Sequence, residues 1–193
     1  MEQEEHQLPL ERVVFSVVDV ETTGLHAGRD RITEVAIVQI RNREIIHTYS
    51  SLLNPQCAIP LVVQRLTSIT DEMVSTAPLF SDIASQLDDL LRGSVMVAHN
   101  ARFDAAFLQA EFVRSGYAYV QRTPLDTVTL ARRVIPGVSD YKLRTLCSHL
   151  GIVPGKHRAL SDAVATAQVF THLLGIAGSD ILRRVTLAHS ANS

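Results

Sequence analysis

The patterned part of the chain opens on Val13-Val14-Phe15-Ser16-Val17-Val18-Asp19, where β-branched residues dominate and no helical gap pattern is present. This run reads as a buried strand, broken by the polar cluster Thr22-Thr23-Gly24. The pattern predicts a second strand from Ile32 to Ile40 and a third from Glu44 to Leu53, with Arg41-Asn42-Arg43 as a short polar hairpin turn. Both connections are too short for a helical crossover, so the three strands are expected to pair antiparallel.

Beyond them the apolar period changes. Pro78 can start a helix with Leu79, Ile83, Leu87, Leu90 and Leu91 on one side, ending near Gly93. Val95-Met96-Val97-Ala98 reads as a short strand, and Asn100 as the cap of a helix carrying Phe103, Phe107, Ala110 and Val113. Further helical segments follow Asp126, Lys142 and Leu160. Strands first, then strand-helix alternation, imply an α/β fold with a mixed sheet and helices on its faces. Pro136-Gly137 and Pro154-Gly155 mark loops, and no internal repeat is present. The expected organisation is an N-terminal extension over residues 1–12, a domain over 13–174 and a short tail over 175–193. In that tail Ile181, Leu182, Val185 and Leu187 can make one short helix, and Ala188 to Ser193 are small and polar enough to fray.

The chain has 193 residues, 46% of them hydrophobic, which suits a sizeable core and excludes a disordered chain. Its net charge of -2 argues against a broad basic surface that coats nucleic acid. A cleft handling one chain end remains compatible with that charge, because bound divalent ions offset an acidic lining. Cys57 and Cys147 have no metal-ligand spacing and read as reduced thiols. With no secretory pattern in the first twelve residues and no long uninterrupted apolar stretch, a soluble cytoplasmic protein is expected.

Three clusters could carry chemistry. Asp19 and Glu21 are two apart at a strand end, so extended geometry puts both carboxylates on one side. That placement is costly unless a cation joins them, or unless they are a solvated pair; the spacing admits both. Gly24, just beyond, permits close backbone approach. In His99-Asn100-Ala101-Arg102-Phe103-Asp104, Asp104 falls in a first helical turn, where it is either a helix-start charge or an acid aimed back at the sheet end. His99 is readable as a core histidine or as a support of the site. For His157 and Asp162, a five-residue spacing within one helix would separate the faces, so the useful arrangement places His157 in a loop and Asp162 on the following helix.

From Lys142 through Ser161 there is no acid, while Lys142, Arg144, Lys156 and Arg158 are present. The window can steer a phosphate chain, or be a solvated helix and loop. Asp126 can cap a helix or brace a site. Glu34 lies on an apolar strand, with Arg31 as a local counter-charge.

Taken together, Asp19-Val20-Glu21-Thr22-Thr23-Gly24-Leu25, His99-Asn100-Ala101-Arg102-Phe103-Asp104 and His157-Arg158-Ala159-Leu160-Ser161-Asp162 resemble the three motifs of the DnaQ-like, or DEDDh, family of 3′-5′ exonucleases. Within that family the chain is similar to the proofreading epsilon subunits of bacterial replicative polymerases, over roughly residues 13 to 174. The resemblance implies an RNase H-like fold, two divalent ions (Mg²⁺ or Mn²⁺) on Asp19, Glu21, Asp104 and Asp162, and activation of the attacking water by His157. It implies that Thr22, Thr23 and Leu25 border the terminal nucleotide and that Asn100 and Phe103 support the cleft; Gly24, from its close backbone approach, and Lys156 and Arg158, from the basic window, are the further candidate substrate contacts. The implied substrate is nucleic acid with a free 3′ end, single-stranded DNA before RNA because the motifs resemble those of proofreading and related DNA exonucleases; Glu-Thr-Thr-Gly, where oligoribonucleases resemble Glu-Met-Thr-Gly, counts further against short RNA. A noncatalytic, metal-stabilised protein-binding module is the rival class. A monomer or homodimer with transient replication or repair partners is expected, instead of a permanent polymerase subunit, on the shortness of the segment after Leu174.

Overall fold

The computed structural model describes residues 10–119 and 123–190. Residues 1–9 of the expected extension and 191–193 of the expected frayed end lie outside the described residues. Strands β1 (Phe15–Thr22), β2 (Ile32–Arg41) and β3 (Glu44–Leu52) form an antiparallel meander. The β2–β3 turn is tighter than expected, because Arg41 still pairs with Glu44. Asn42 and Arg43 alone make the turn, both left-handed (φ 51° and 66°), as a two-residue hairpin matched to strand twist requires.

Two short helices follow, α1 (Leu61–Thr67) and α2 (Asp71–Val74), neither long enough to show a hydrophobic period in sequence. Helix α3 (Phe80–Leu91) begins two residues after Pro78, and the Asp82 carboxylate accepts the Leu79 N–H at 2.9 Å. Next come β4 (Val95–Ala98), α4 (Arg102–Arg114), β5 (Leu125–Asp126), α5 (Thr127–Val134), α6 (Leu143–Leu150) and α7 (Ala159–Ser190). β4 pairs parallel with β1, and β5 parallel with β4. The order β3-β2-β1-β4-β5 is the mixed, helix-flanked sheet of an RNase H-like fold.

Alternation along the strands builds two cores. Phe15, Val17, Ala36 and Val38 point to one face, against Ala163, Ala167, Phe170 and Leu174 of α7. Val18, Val20, Val35 and Ile37 point to the other, against Ile83 and Leu87 of α3 and Leu108 and Phe112 of α4. The alanines let α7 approach the sheet closely, and Phe15 meets Phe170 edge-on at 5.0 Å. Each large apolar side chain so buried contributes about 1.5–3 kcal/mol. Helix α7 does not stop near Leu174: it continues to Ser190, with a single non-helical residue, Ala177 (φ -115°, ψ 22°), marking a kink.

Candidate active site

Asp19 and Glu21 share the face of Phe15 and Val17, so they emerge on the α7 side at the end of β1. The first turn of α7 brings Asp162 to the same point. One oxygen from each of Asp19, Glu21 and Asp162 lies within 4.8 Å of the others, and this is the group of metal-competent side chains among the described residues. Asp104 arrives from the opposite layer. It is buried at the start of α4, and its Oδ1 accepts the Val20 N–H at 3.1 Å. The structure therefore brings three of the four expected acids into one triangle and sets the fourth behind it. Asp104 nonetheless remains the strongest charged influence on Asp19.

Without a cation this arrangement is unfavourable for every charge in it. Burial, then Asp104, Glu21 and Asp162, hold the Asp19 carboxyl well above the usual range. Burial, followed by Asp162 and Glu34, pushes Glu21 up to about 7. Burial drives Asp104 to about 8 against the Val20 hydrogen bond that opposes it. Asp162 is raised by burial too, although the neighbouring His157 pulls it down. Hard oxygen donors crowded and desolvated in this way fit divalent Mg²⁺ or Mn²⁺, whose charge would reverse each shift.

His157 stands exposed in the loop before α7, in left-handed backbone (φ 54°), and its N–H serves the Asp162 carboxylate. Gly155, which the sequence marks only as part of a loop, packs so tightly against Asp162 that a Cβ there would collide with Oδ1. Lys156 is exposed, with its N–H donated to Ser161 Oγ at 3.0 Å.

Arg158 has a different partner from the one its position in the basic window suggests. Its Nε and one Nη donate to Glu34 at 3.0 and 2.7 Å, and Ala159 N donates to the same carboxylate at 2.9 Å. Arg31, the expected counter-charge of Glu34, instead donates to the buried Glu111 of α4 at 2.8 and 3.2 Å. Glu111 also accepts from Ile32 N and from Arg114, whose guanidinium reaches the Ala27 carbonyl. This network ties the loop after β1 to α4, and no local sequence signal announces it.

Within that loop the Thr22 hydroxyl donates to the Gly24 carbonyl at 2.6 Å, and Thr23 Oγ1 accepts the Arg31 N–H at 3.0 Å. Gly24 lies against the Asp30 carboxylate, with no room for a Cβ. Leu25, by contrast, is 79% exposed beside the carboxylates' strand end, a large apolar side chain left free to meet a ligand.

On the β4 side, Asn100 is not the cap of α4. The helix starts at Arg102, Asn100 is left-handed (φ 61°), and Asp126 Oδ1 accepts the N–H groups of Asn100 and Ala101 at 3.0 and 3.5 Å. Asp126 thus performs both tasks considered for it, since it also caps α5 through Val128 N at 3.1 Å. His99 is half-buried, its Nδ1 2.9 Å from Thr127 Oγ1, and burial lowers its pKa. Phe103 is half-buried, its ring 4.8 Å from that of Phe107. Among the described residues no helix is long and apolar enough to cross a membrane.

Comparison with known proteins agrees with this geometry. An exonuclease family model, RNase T in type, matches residues 16–170. The DNA polymerase III subunit epsilon of Treponema pallidum is 38% identical over 167 residues, covering 85% of this chain and 78% of that protein. A PolC-type DNA polymerase III from Caldanaerobacter subterraneus subsp. tengcongensis is 38% identical over 161 residues, 83% of this chain and only 11% of the polymerase, so the chain spans about a tenth of such relatives. Among solved structures, exonuclease X in complex with 5′ overhanging duplex DNA superposes with a TM-score of 0.68 at 29% identity, over 85% of this chain and 93% of that one. Exonuclease I gives a TM-score of 0.78 at 18% identity over 91% of this chain and 44% of that one, a likeness of fold alone. Three acids converging at the end of β1, a fourth held behind them and a family match that spans all four place this chain in the DnaQ-like, RNase T-type exonuclease family.

Proposed function

We propose that this chain is a divalent-metal-dependent exonuclease that shortens DNA from a free 3′ end, one nucleoside 5′-monophosphate at a time. The observation that carries the reading is the Asp19–Glu21–Asp162 triangle, whose carboxylate oxygens lie within 4.8 Å of one another and whose pKa values all stay raised, because burial outweighs the partial compensation from Arg158, His157 and Arg144. Asp19, Glu21 and Asp162 would hold Mg²⁺ or Mn²⁺, with Asp104 completing the set from the α4 side. Two such ions, when bound, supply charge stabilisation at the phosphate and at the departing 3′ oxygen and acidify the attacking water.

The remaining tasks belong to side chains on the loops. His157, exposed on the loop before α7, accepts the proton of the attacking water, a task imidazole suits near neutral pH. Leu25 borders the terminal nucleotide and the backbone from Thr22 to Gly24 receives its sugar, held rigid by the Thr22 and Thr23 hydrogen bonds. Asn100 and Phe103 line the opposite side, and Lys156 offers an exposed cation to the strand's phosphates. DNA is favoured over RNA because the epsilon subunit and exonuclease X, to which the chain is similar, are named for polymerase and DNA complexes. Single-stranded or frayed ends are preferred, since a paired end must unstack before it enters.

Matched single-stranded DNA and RNA oligonucleotides, with free or phosphorylated 3′ ends and as closed circles, test the reading. Ladder-like shortening of free 3′ DNA ends in Mg²⁺ or Mn²⁺ is expected, with the blocked ends and circles left intact. Cutting of the circle, or nucleotide release in excess chelator, overturns it.

A further inference from the structure

The β1–β2 ladder contains an acid that the proposed reaction does not use. Glu34 is 4% exposed and pairs in register with Glu21, so two carboxylates stand directly opposite one another on the α7 face. Like charges in that relation repel, and burial aggravates the repulsion. Arg158 is close enough to influence both, yet its Nε and one Nη donate to Glu34, at 3.0 and 2.7 Å. Ala159 N adds a third donor to the same carboxylate, fixing it at the start of α7. Among the described residues no lysine or arginine forms a salt bridge with Asp19, Glu21 or Asp162. Of the arginines whose charge is felt at the triangle, Arg144 at Asp162 and Arg158 at Glu21, the second is therefore held to one side by Glu34.

We propose that Glu34 is a positioning residue that keeps Arg158 off the metal-binding carboxylates, leaving Glu21 and Asp162 free for a cation that Arg158 would otherwise displace. The inference rests on the metal-dependent reading above and deepens it. Arginine is always charged and carries its charge on a long flexible stem, so a guanidinium released from Glu34 turns to the nearest remaining anions. These are Glu21, opposite Glu34 on the ladder, and Asp162, on Arg158's own helix start. An internal ion pair there competes directly with divalent binding. A latch that only secured the loop would behave differently, because loss of either partner would then loosen the site alike.

Mn²⁺ binding to the full chain without nucleic acid, followed by the electron paramagnetic resonance signal of free Mn²⁺, separates these cases. Glu34→Gln, which releases the cation, is expected to weaken Mn²⁺ binding about tenfold, as one misplaced unit charge beside the site would. Arg158→Gln, which removes the cation, is expected to bind at least as tightly as the wild type. The double variant Glu34→Gln/Arg158→Gln should recover to within about threefold of the wild type. Equal weakening in both single variants, with no recovery in the double, overturns the proposal. If Glu34→Gln fails to fold by circular dichroism, the order of the Arg158 variants decides: tighter binding by Arg158→Gln than by Arg158→Lys supports it, and the reverse order overturns it. A wild type without saturable Mn²⁺ binding would instead bring down the metal-dependent reading, and this inference with it.

Discussion

Glu21 and Glu34 are cross-strand partners on adjacent antiparallel strands, so the sheet sets two acids face to face beside the triangle that Glu21 shares with Asp19 and Asp162. Only Glu34 has an arginine bound to it. The asymmetry turns one of a matched pair into a structural anion and leaves the other available, and it makes the site's electrostatics directly testable.

The pH dependence of the metal-free protein should be inverted relative to an ordinary acidic protein. Glu21 at about 7 and Asp104 at about 8 lie above their unfolded values, so at these two groups the native state binds more protons than the unfolded one between roughly pH 4 and 8. Their contribution is complete below pH 4 and is lost as pH rises through 7 and 8. Thermal melts in chelator should show Tm falling from pH 6 to pH 8.5, and saturating Mg²⁺ should raise Tm more at pH 8.5 than at pH 6. A chelated protein whose Tm rises over that interval would contradict the burial and charge crowding described above.

Asp19→Asn should separate stability from activity. It removes one of the mutually repelling carboxylates while keeping the side chain's size, so metal-free Tm at pH 8 should rise by a few degrees. Hydrolysis should be nearly abolished, because an anionic ligand is gone. Asp162→Asn should do the same to hydrolysis. Calorimetry beside a nucleotide-release assay on one preparation checks both halves.

His157→Ala should lower the rate by about 10²–10⁴-fold, the range for loss of general-base catalysis, while Mn²⁺ affinity changes little, since His157 stands outside the triangle. A rate and pH profile indistinguishable from wild type would assign His157 to structure alone.

Gly155→Ala is a conservative change with a specific target. The added methyl must displace the Asp162 carboxylate or the loop that carries His157. Activity should fall at least tenfold while the circular dichroism spectrum remains that of the wild type, because the damage is confined to one end of α7. Ala substituted at Gly28, where no atom lies within reach of a Cβ, serves as the control.

The strands, the three motif segments and the mixed sheet were legible because their signals are local: a period, a cap, a pair of acids two apart. Local sequence misleads where distant segments decide. Arg31 is the nearest basic residue to Glu34 in sequence, yet Arg158 holds it across a separation of 124 positions. Asn100 carries a good cap side chain, but Asp126 of β5 takes over the exposed N–H groups and the helix begins later. The division at Leu174 cuts through one helix, although Gly175 costs that helix about 1 kcal/mol relative to alanine. The run of buried residues from Ala163 through Leu174 seats the helix firmly enough to continue past it. Glu111 had no expected role, because a buried acid on an amphipathic helix reveals its partners only once the neighbouring loop is in place.

The carboxylates that form the site come from both layers around the sheet: Asp104 from α4 on one side, Asp162 from α7 on the other. A chain that has docked only one layer has no complete pocket, however well formed its strands are. During synthesis Asp19 and Glu21 leave the ribosome early, and Asp162 follows only after the sheet and six helices have been made. The carboxylate triangle is therefore complete only once the layer that carries Asp162 has packed, and a half-folded copy of this protein lacks the site altogether.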